Sequence, residues 1–191
     1  EAIASLRKEL SEAESKQATC TAKISTLQSI LETDSETQEQ PVLSMLNPKK
    51  GAENALSRAL GEAITASLDN SAKKKWTKTP LNLKNAPRFA NDIKTLADYV
   101  EAPVTLHLAL QMVAYVEDNH TFETVSSHLQ FGQSVVSADG RYQRWDGYTI
   151  DAEAPDLQAS LLKQKNELKD LIAQRPSLDK KVQALTSKIE N

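Results

Sequence analysis

Apolar residues recur at alternating steps of three and four along both ends of the chain. The first stripe runs through Ile3, Leu6, Leu10, Ala13, Gln17, Cys20, Ile24, Leu27 and Leu31. The last runs through Leu157, Leu161, Gln164, Leu168, Leu171, Arg175, Leu178, Val182, Leu185 and Ile189. A stripe of that period lies along one seam of a helix and is hidden only by a second helix, which is the signature of a coiled coil. Each stripe therefore predicts the other as its partner. Folded back antiparallel, Ile3 falls near Ile189 and Leu31 near Leu161. Gln17 then faces Arg175, and Leu27 faces Gln164. Polar seam residues fix register at a cost in stability, so in this register Arg175→Leu stabilises the arm. Residues 1–32 contain neither Gly nor Pro and predict one helix of about 45 Å. The polar run 33–40 and Pro41 end it. Pro176 predicts a local kink or restart in the last helix, with Arg175 out of the seam. The organisation expected is an N-terminal arm over 1–40, a globular centre over 41–155 and a C-terminal arm over 156–191.

Within the centre the period changes repeatedly. Pro48 to Gly51 is a break, Ala52 to Leu60 has helical spacing, and Gly61 follows as its stop. Ala63 to Leu68 alternates like a strand, and Asp69-Asn70-Ser71 is a turn. Lys73 to Pro87 reads as an irregular excursion. Ile93 to Val100 reads as a short helix. Pro103 suits a first helical position, with Leu106, Leu110 and Val113 on the inner face. Val113 to Val116 is a buried strand. Asn119 to Leu129 is a helix capped by Asn119, with Phe122, Val125 and Leu129 inward. Gln133 to Ala138 and Arg141 to Trp145 flank Asp139-Gly140, a pair that predicts a type I′ hairpin. Asp146-Gly147 makes a second turn before Tyr148 to Ile150, and Asp156 caps the second arm. The centre is thus of the α+β class.

Composition narrows the setting. The chain has 191 residues, 39% hydrophobic and 26% charged, with net charge −3. No apolar run approaches a membrane span of about 18 residues, so no membrane partner is expected. It opens Glu-Ala-Ile without Met and reads as a piece of a longer protein. Cys20 is the only cysteine, which rules out an intrachain disulfide and fits a small buried hydrophobe in a reducing cytoplasm. Charge is unevenly spread. From 73 to 94 there are seven basic residues and one acid, whereas 95 to 140 carries six acids and neither Lys nor Arg. A basic loop holding an aromatic can grip phosphates and stack a base, or it can be a solvated loop with Trp76 tucked into the core. Arg141 and Arg144, three apart on a hairpin, point to opposite faces, which places one along an aromatic and the other in solvent.

One stretch carries a family likeness. The run QSVVSADGRYQRWDGY from Gln133 to Tyr148, then Ala152 to Pro155 and a heptad helix, resembles the end of an SMC hinge. In the short hinges of alphaproteobacterial SMC proteins a similar LVSxxGDLWRWDGF stretch runs straight into the returning coiled coil. ALSRALG, from Ala55 to Gly61, resembles the hinge's AIEAALG helix and turn. Trp76 and the Leu96 to Val116 region, with Glu101-Ala-Pro103, follow in the family's order. Longer hinges carry a glycine cluster near the returning strand; here Gly140 and Gly147 stand in that region. The resemblance implies an SMC-hinge-like domain at the tip of the coiled coil. It implies a homodimer that pairs two SMC chains of a chromosome-condensing, nucleoid-associated complex. It also implies contact with DNA, double- or single-stranded, and, in the parent complex, a kleisin and accessory subunits. On that basis Lys49, Lys50, Lys73, Lys74, Lys75, Trp76, Lys78, Lys84 and Arg88 are candidate DNA contacts. Gly140, Trp145 and Gly147 are candidates for the dimer interface along the edge of the Gln133 to Ile150 strands.

Catalytic and cofactor chemistry finds no footing. There is no GxxxxGK[ST] to cradle a nucleotide, no GxSxG elbow, and His107, His120 and His128 match no close-ligand spacing. No cofactor or metal is expected. The ATPase motifs of an SMC protein would lie outside this stretch, so the expected role is structural and not enzymatic. A reading from another class is a stalked binding head that recognises a protein or DNA without pairing to itself. Self-association separates the two.

Overall fold

The computed structural model describes residues 2–33, 40–78 and 86–190. They form two compact units, Glu1–Glu36 with Gln164–Asn191, and Thr37–Lys163.

The first unit is an antiparallel helix pair. Helix α1 spans Ala2–Thr33. Helix α5 spans Leu157–Glu190, and its first turns, up to Lys163, belong to the second unit. The covered positions of α1 fall every three or four residues from Leu6 through Leu31, with Ala13, Cys20, Ile24 and Leu27 buried. On α5 the matching line is Leu168, Leu171, Leu178, Val182, Leu185 and Ile189. Direction is fixed by two contacts. Gln17 Nε2 donates to Asp179 Oδ1 at 2.6 Å, and Cys20 Sγ donates to the Leu171 carbonyl at 3.6 Å. Gln17 therefore pairs one turn beyond Arg175. The Arg175 side chain is half-exposed and pairs along its own helix with Asp179 at 3.9 Å. Arg175→Leu accordingly buries nothing new, and the stabilisation expected of it does not follow. Two further expectations change. Helical structure runs through Pro176 without a break. Leu157 is exposed, whereas Ala159 and Leu162 are the buried positions of the first turns.

In the second unit a four-stranded sheet has the order β3-β4-β5-β6. Its strands are β3 (Val113–Val116), β4 (Ser134–Ser137), β5 (Tyr142–Arg144) and β6 (Thr149–Ile150). Strands β3 and β4 are parallel, joined by helix α4 (Asn119–Ser126); the other two pairings are antiparallel hairpins. Alternation along a strand sends successive side chains to opposite faces. Val113, Tyr115 and Val136 meet Leu56 of helix α2 (Glu53–Leu60), Leu106, Leu110 and Leu162 in the larger core. Ala114, Val116 and Val135 meet Phe122 and Val125 of α4 in the smaller one. All eight residues of β3 and β4 are covered, as expected of a parallel pair with both faces packed. A separate two-stranded ladder pairs β1 (Asn47–Pro48) with β2 (Val100–Glu101).

Several local expectations are corrected. Ala63 to Leu68 is not a strand. After Gly61 the chain re-coils as a 3-10 turn, Gly61–Thr65, which sends Ile64 fully into the core; only Ser67 makes isolated bridges, to Pro41 and Lys75. Ile93 to Val100 is not a helix. A capping box between Thr95 and Asp98 closes a single turn, Leu96–Asp98, and the Lys49 N–H then draws the Tyr99 carbonyl alongside at 2.8 Å. Pro103 precedes a 3-10 turn, Val104–Leu106, that leads into helix α3 (His107–Gln111). The cap of α4 is Asp118, whose Oδ1 accepts from the Thr121 N–H at 2.8 Å. The β4–β5 hairpin is not type I′, which needs positive φ at both central residues. Only glycines have positive φ among the described residues, and Gly140 (φ 95°) closes a three-residue loop, its N–H donating to the Ser137 carbonyl at 3.0 Å.

Candidate pairing and nucleic-acid surfaces

The two hairpin loops use one device. In each, an Asp precedes a positive-φ Gly and is held by the side chain two residues before it. Ser137 Oγ donates to Asp139 Oδ1, and Arg144 donates to both carboxylate oxygens of Asp146, through Nε to Oδ1 at 3.1 Å. These bonds favour the ionised carboxylates, so both acids sit below their ordinary pKa, Asp139 chiefly through Ser137 and Asp146 chiefly through Arg144. The loops face different surroundings. Gly140 is buried against α2, where an added Cβ would stand 3.4 Å from Asn54 Cβ and 3.6 Å from Arg58 Nε. Gly147 has open space around it. The structure thus keeps Trp145 and Gly147 together on one exposed loop and puts Gly140 in the fold's own interior.

At the Gly147 loop the surface is aromatic. Trp145 is 44% exposed and its ring centroid lies 4.5 Å from that of Phe131, which is 77% exposed. Tyr148, 53% exposed, lies under the Arg144 guanidinium at 5.2 Å. The Trp145 N–H donates to the Gln133 carbonyl at 3.0 Å, tying this loop to the Phe131 segment. Both arginines of the hairpin pack along aromatics, not one as expected. Arg141 stands 4.3 Å from the Phe122 centroid and pairs with Glu123 at 2.6 Å. The sequence reading does not mark Phe131, and it includes Tyr148 only as part of the Gln133 to Ile150 edge, not as an exposed ring. The signal available was a Phe inside the polar turn Gln130 to Gln133.

The basic candidates are dispersed. Lys49 Nζ donates to the Asp98 carbonyl at 2.8 Å and lies 5.2 Å from the Tyr99 ring, and Lys50 follows it in an exposed turn. Lys73, Lys74, Lys75 and Lys78 are all exposed. Lys74 stands 3.7 Å from Glu62, both ends open to solvent, and Lys75 Nζ donates to the Asn70 carbonyl. Trp76 is half-buried against the larger core, and its Nε1 donates to the Ala63 carbonyl at 2.8 Å. Its polar edge is therefore occupied within the chain. Arg88 is exposed beside a cleft of about 470 Å³ between residues 86–95 and α3. Lys84 lies outside the described residues.

A third cluster joins α2 to α5. Asp156 Oδ1 accepts from the Ala159 N–H at 3.0 Å, capping α5, and also from Ser57 Oγ. Arg58 Nε is 3.5 Å from Asp156 Oδ2, and its other nitrogens donate to the carbonyls of Ala154 and Pro155. Both side chains are nearly buried. Among the described residues no three metal-ligating side chains converge, and no helix is long and apolar enough to cross a membrane.

This architecture defines a class: a mixed helix-and-sheet domain of the SMC hinge type, with long helical segments at both ends. One similar solved structure is the SMC hinge domain of Geobacillus stearothermophilus, crystallised as an asymmetric dimer. That fold matches with a TM-score of 0.71 over 98% of this chain and 94% of that one, at 14% identity. The sequence is similar to one kind of protein. The chain is 30% identical over 165 residues, 86% of its length, to the chromosome partition protein Smc of Rhodopseudomonas palustris. It is 32% identical over 129 residues, 66% of its length, to that of Cereibacter sphaeroides. It spans 14% and 11% of those two proteins. No family model matches the chain. The resemblance carried by the RWDG stretch holds: in sequence the chain is similar to Smc, and it has the fold of an SMC hinge domain.

Proposed function

We propose that this chain is the dimerisation hinge of a chromosome-partitioning SMC protein, joining two copies through the β5–β6 side of its sheet. The single observation that carries the reading is the free edge. Strand β6 pairs only with β5 among the described residues, and a strand edge with unsatisfied backbone groups is a template for a second chain. Antiparallel pairing of one edge with its own copy generates a closed two-fold dimer. The likeness to a hinge that crystallised as a dimer supports it.

The finer parts of the reading concern the whole assembly. Residues 1–40 and 156–191 are taken as arms and 41–155 as the hinge. The parent protein is an ATPase of the cytoplasmic nucleoid with a kleisin and accessory subunits. Its hinge contacts DNA secondarily, through the exposed lysines near 49 and 73–78. A second reading, a monomeric binding head, is favoured by one observation: β6 is only two residues long, and very short edge strands discourage edge pairing.

Light scattering behind a sizing column separates the two. A mass near 42 kDa, twice the 21.0 kDa chain, is expected through micromolar dilution. A 21.0 kDa species at every concentration sinks the pairing reading.

A further inference from the structure

We infer that Phe131, Trp145 and Tyr148 are the side-chain anchors of this pairing surface and that a second copy of the same chain covers them. The inference rests on the pairing reading and says which side chains hold the copies together.

Three observations converge. Large aromatic side chains are normally covered, yet these three stand 77%, 44% and 53% exposed at one end of the β5–β6 hairpin. Aromatic residues and Arg are the side chains most enriched at the centres of protein interfaces. The Phe131–Trp145 stack and Tyr148, which packs edge-on to Tyr142 at 6.4 Å, both adjoin the free edge in the chain: Tyr148 immediately precedes Thr149 of β6, and Trp145 immediately follows Arg144 of β5. An occupant seated on the edge strand meets these rings.

Charge selects the kind of partner. A nucleic-acid surface needs unpaired cations beside its stacking rings. Here the cation over the Tyr148 ring is Arg144, and Asp146 holds it through two bonds. Neighbouring Asp151 and Glu153 are acidic. The rings therefore face a partner without phosphates. Size is consistent with an isologous contact. At these exposures the three side chains offer roughly 350 Å² per copy, against about 800 Å² per partner in a standard interface. They act as anchors, and the strand edge and its flanks supply the rest.

The Phe131–Trp145 stack also limits the entropy lost on association, since each ring already restrains the other before a partner arrives.

The test is sedimentation velocity across a micromolar dilution series on the parent chain, Phe131→Asp, Trp145→Ala and the double variant, with melting followed by circular dichroism. Phe131→Asp is included because a side chain this exposed leaves folding intact. A dimeric parent, with each variant at least ~30-fold weaker in self-association and unchanged in melting, supports the inference. A dimeric parent whose double variant pairs equally well overturns the inference and leaves the pairing reading standing. A parent monomeric throughout overturns both. Loss of binding to an oligo-dT probe in the variants, with their mass unchanged, overturns the inference in favour of base stacking.

Discussion

Covering by neighbours disfavours the charged form of Lys165. Burial, and secondarily the positive charge of Lys169, push its amine down to about 8. An amine with a lowered folded pKa favours the neutral form when folded, so the unfolded chain binds more protons between about 8 and the ordinary value of 10.5. Stability from this group therefore rises with pH across that window, and the full penalty is present at neutral pH. Lys165→Met removes it. The melting temperature of the variant relative to the parent is expected to be greatest at pH 7 and to shrink steadily towards pH 10.5. A difference that does not change with pH sinks this account. Little of this was legible beforehand. Lys165 sits beside the seam residue Gln164, and periodicity marks seam positions without showing how far a neighbour's stem is covered. The same limit explains Phe131 and Tyr148. Hydrophobicity identifies such residues, but exposure is a property of the folded surface. Trp145 was singled out because it lay in a family-like motif, and Gly140 for the same reason, yet the positive φ of Gly140 serves a turn packed on α2.

The elements that could be read were those with a sustained period. The helical arms, α2 and α4 stand where three-four spacing places them, because burial on one face imposes that spacing, and the Val113 to Val116 strand stands where a short continuous apolar run places it, because both its faces are covered. Single turns carry no period. The 3-10 turns at Gly61–Thr65 and Leu96–Asp98 were accordingly mistaken for a strand and a helix. Caps were ambiguous where two cap-forming residues adjoin, as in Asp118-Asn119. The cap of α5 was legible, but not its second duty. Asp156 also receives Ser57 and Arg58 from α2, so one carboxylate caps the first turn of the last helix and ties that turn to α2 within the second unit. Asp156→Ala leaves the guanidinium facing a void and uncaps the helix. A loss of about 3 kcal/mol is expected from cap and buried ion pair together, measured by urea unfolding. Asp156→Asn retains an acceptor for the cap and should lose less. Equal losses would mean that the charge contributes nothing.

At the scale of the molecule, the basic stretch seen along the sequence stands as four exposed lysines at 73, 74, 75 and 78. If these lysines meet DNA, Lys73→Glu, Lys74→Glu and Lys75→Glu together should lower the slope of log affinity against log salt by about three. An unchanged slope with duplex and single-stranded probes alike removes this stretch from the DNA-contact proposal. Neither the fold nor the sequence makes the dispersed Lys49, Lys50 and Arg88 part of one continuous groove. A last consequence concerns synthesis. The helices that cover each other's seam are separated by the whole second unit, and the Gln17–Asp179 contact spans 162 residues. On a ribosome moving at about 5–20 residues per second, α1 waits roughly 8–30 seconds for α5 to appear. During that interval its apolar stripe is open to α1 of neighbouring nascent chains. The second unit, whose parts lie closer in sequence, is free to fold in the meantime. The connectivity thus makes the pairing of α1 with α5 a late event of synthesis, since it waits on the last residues of the stretch.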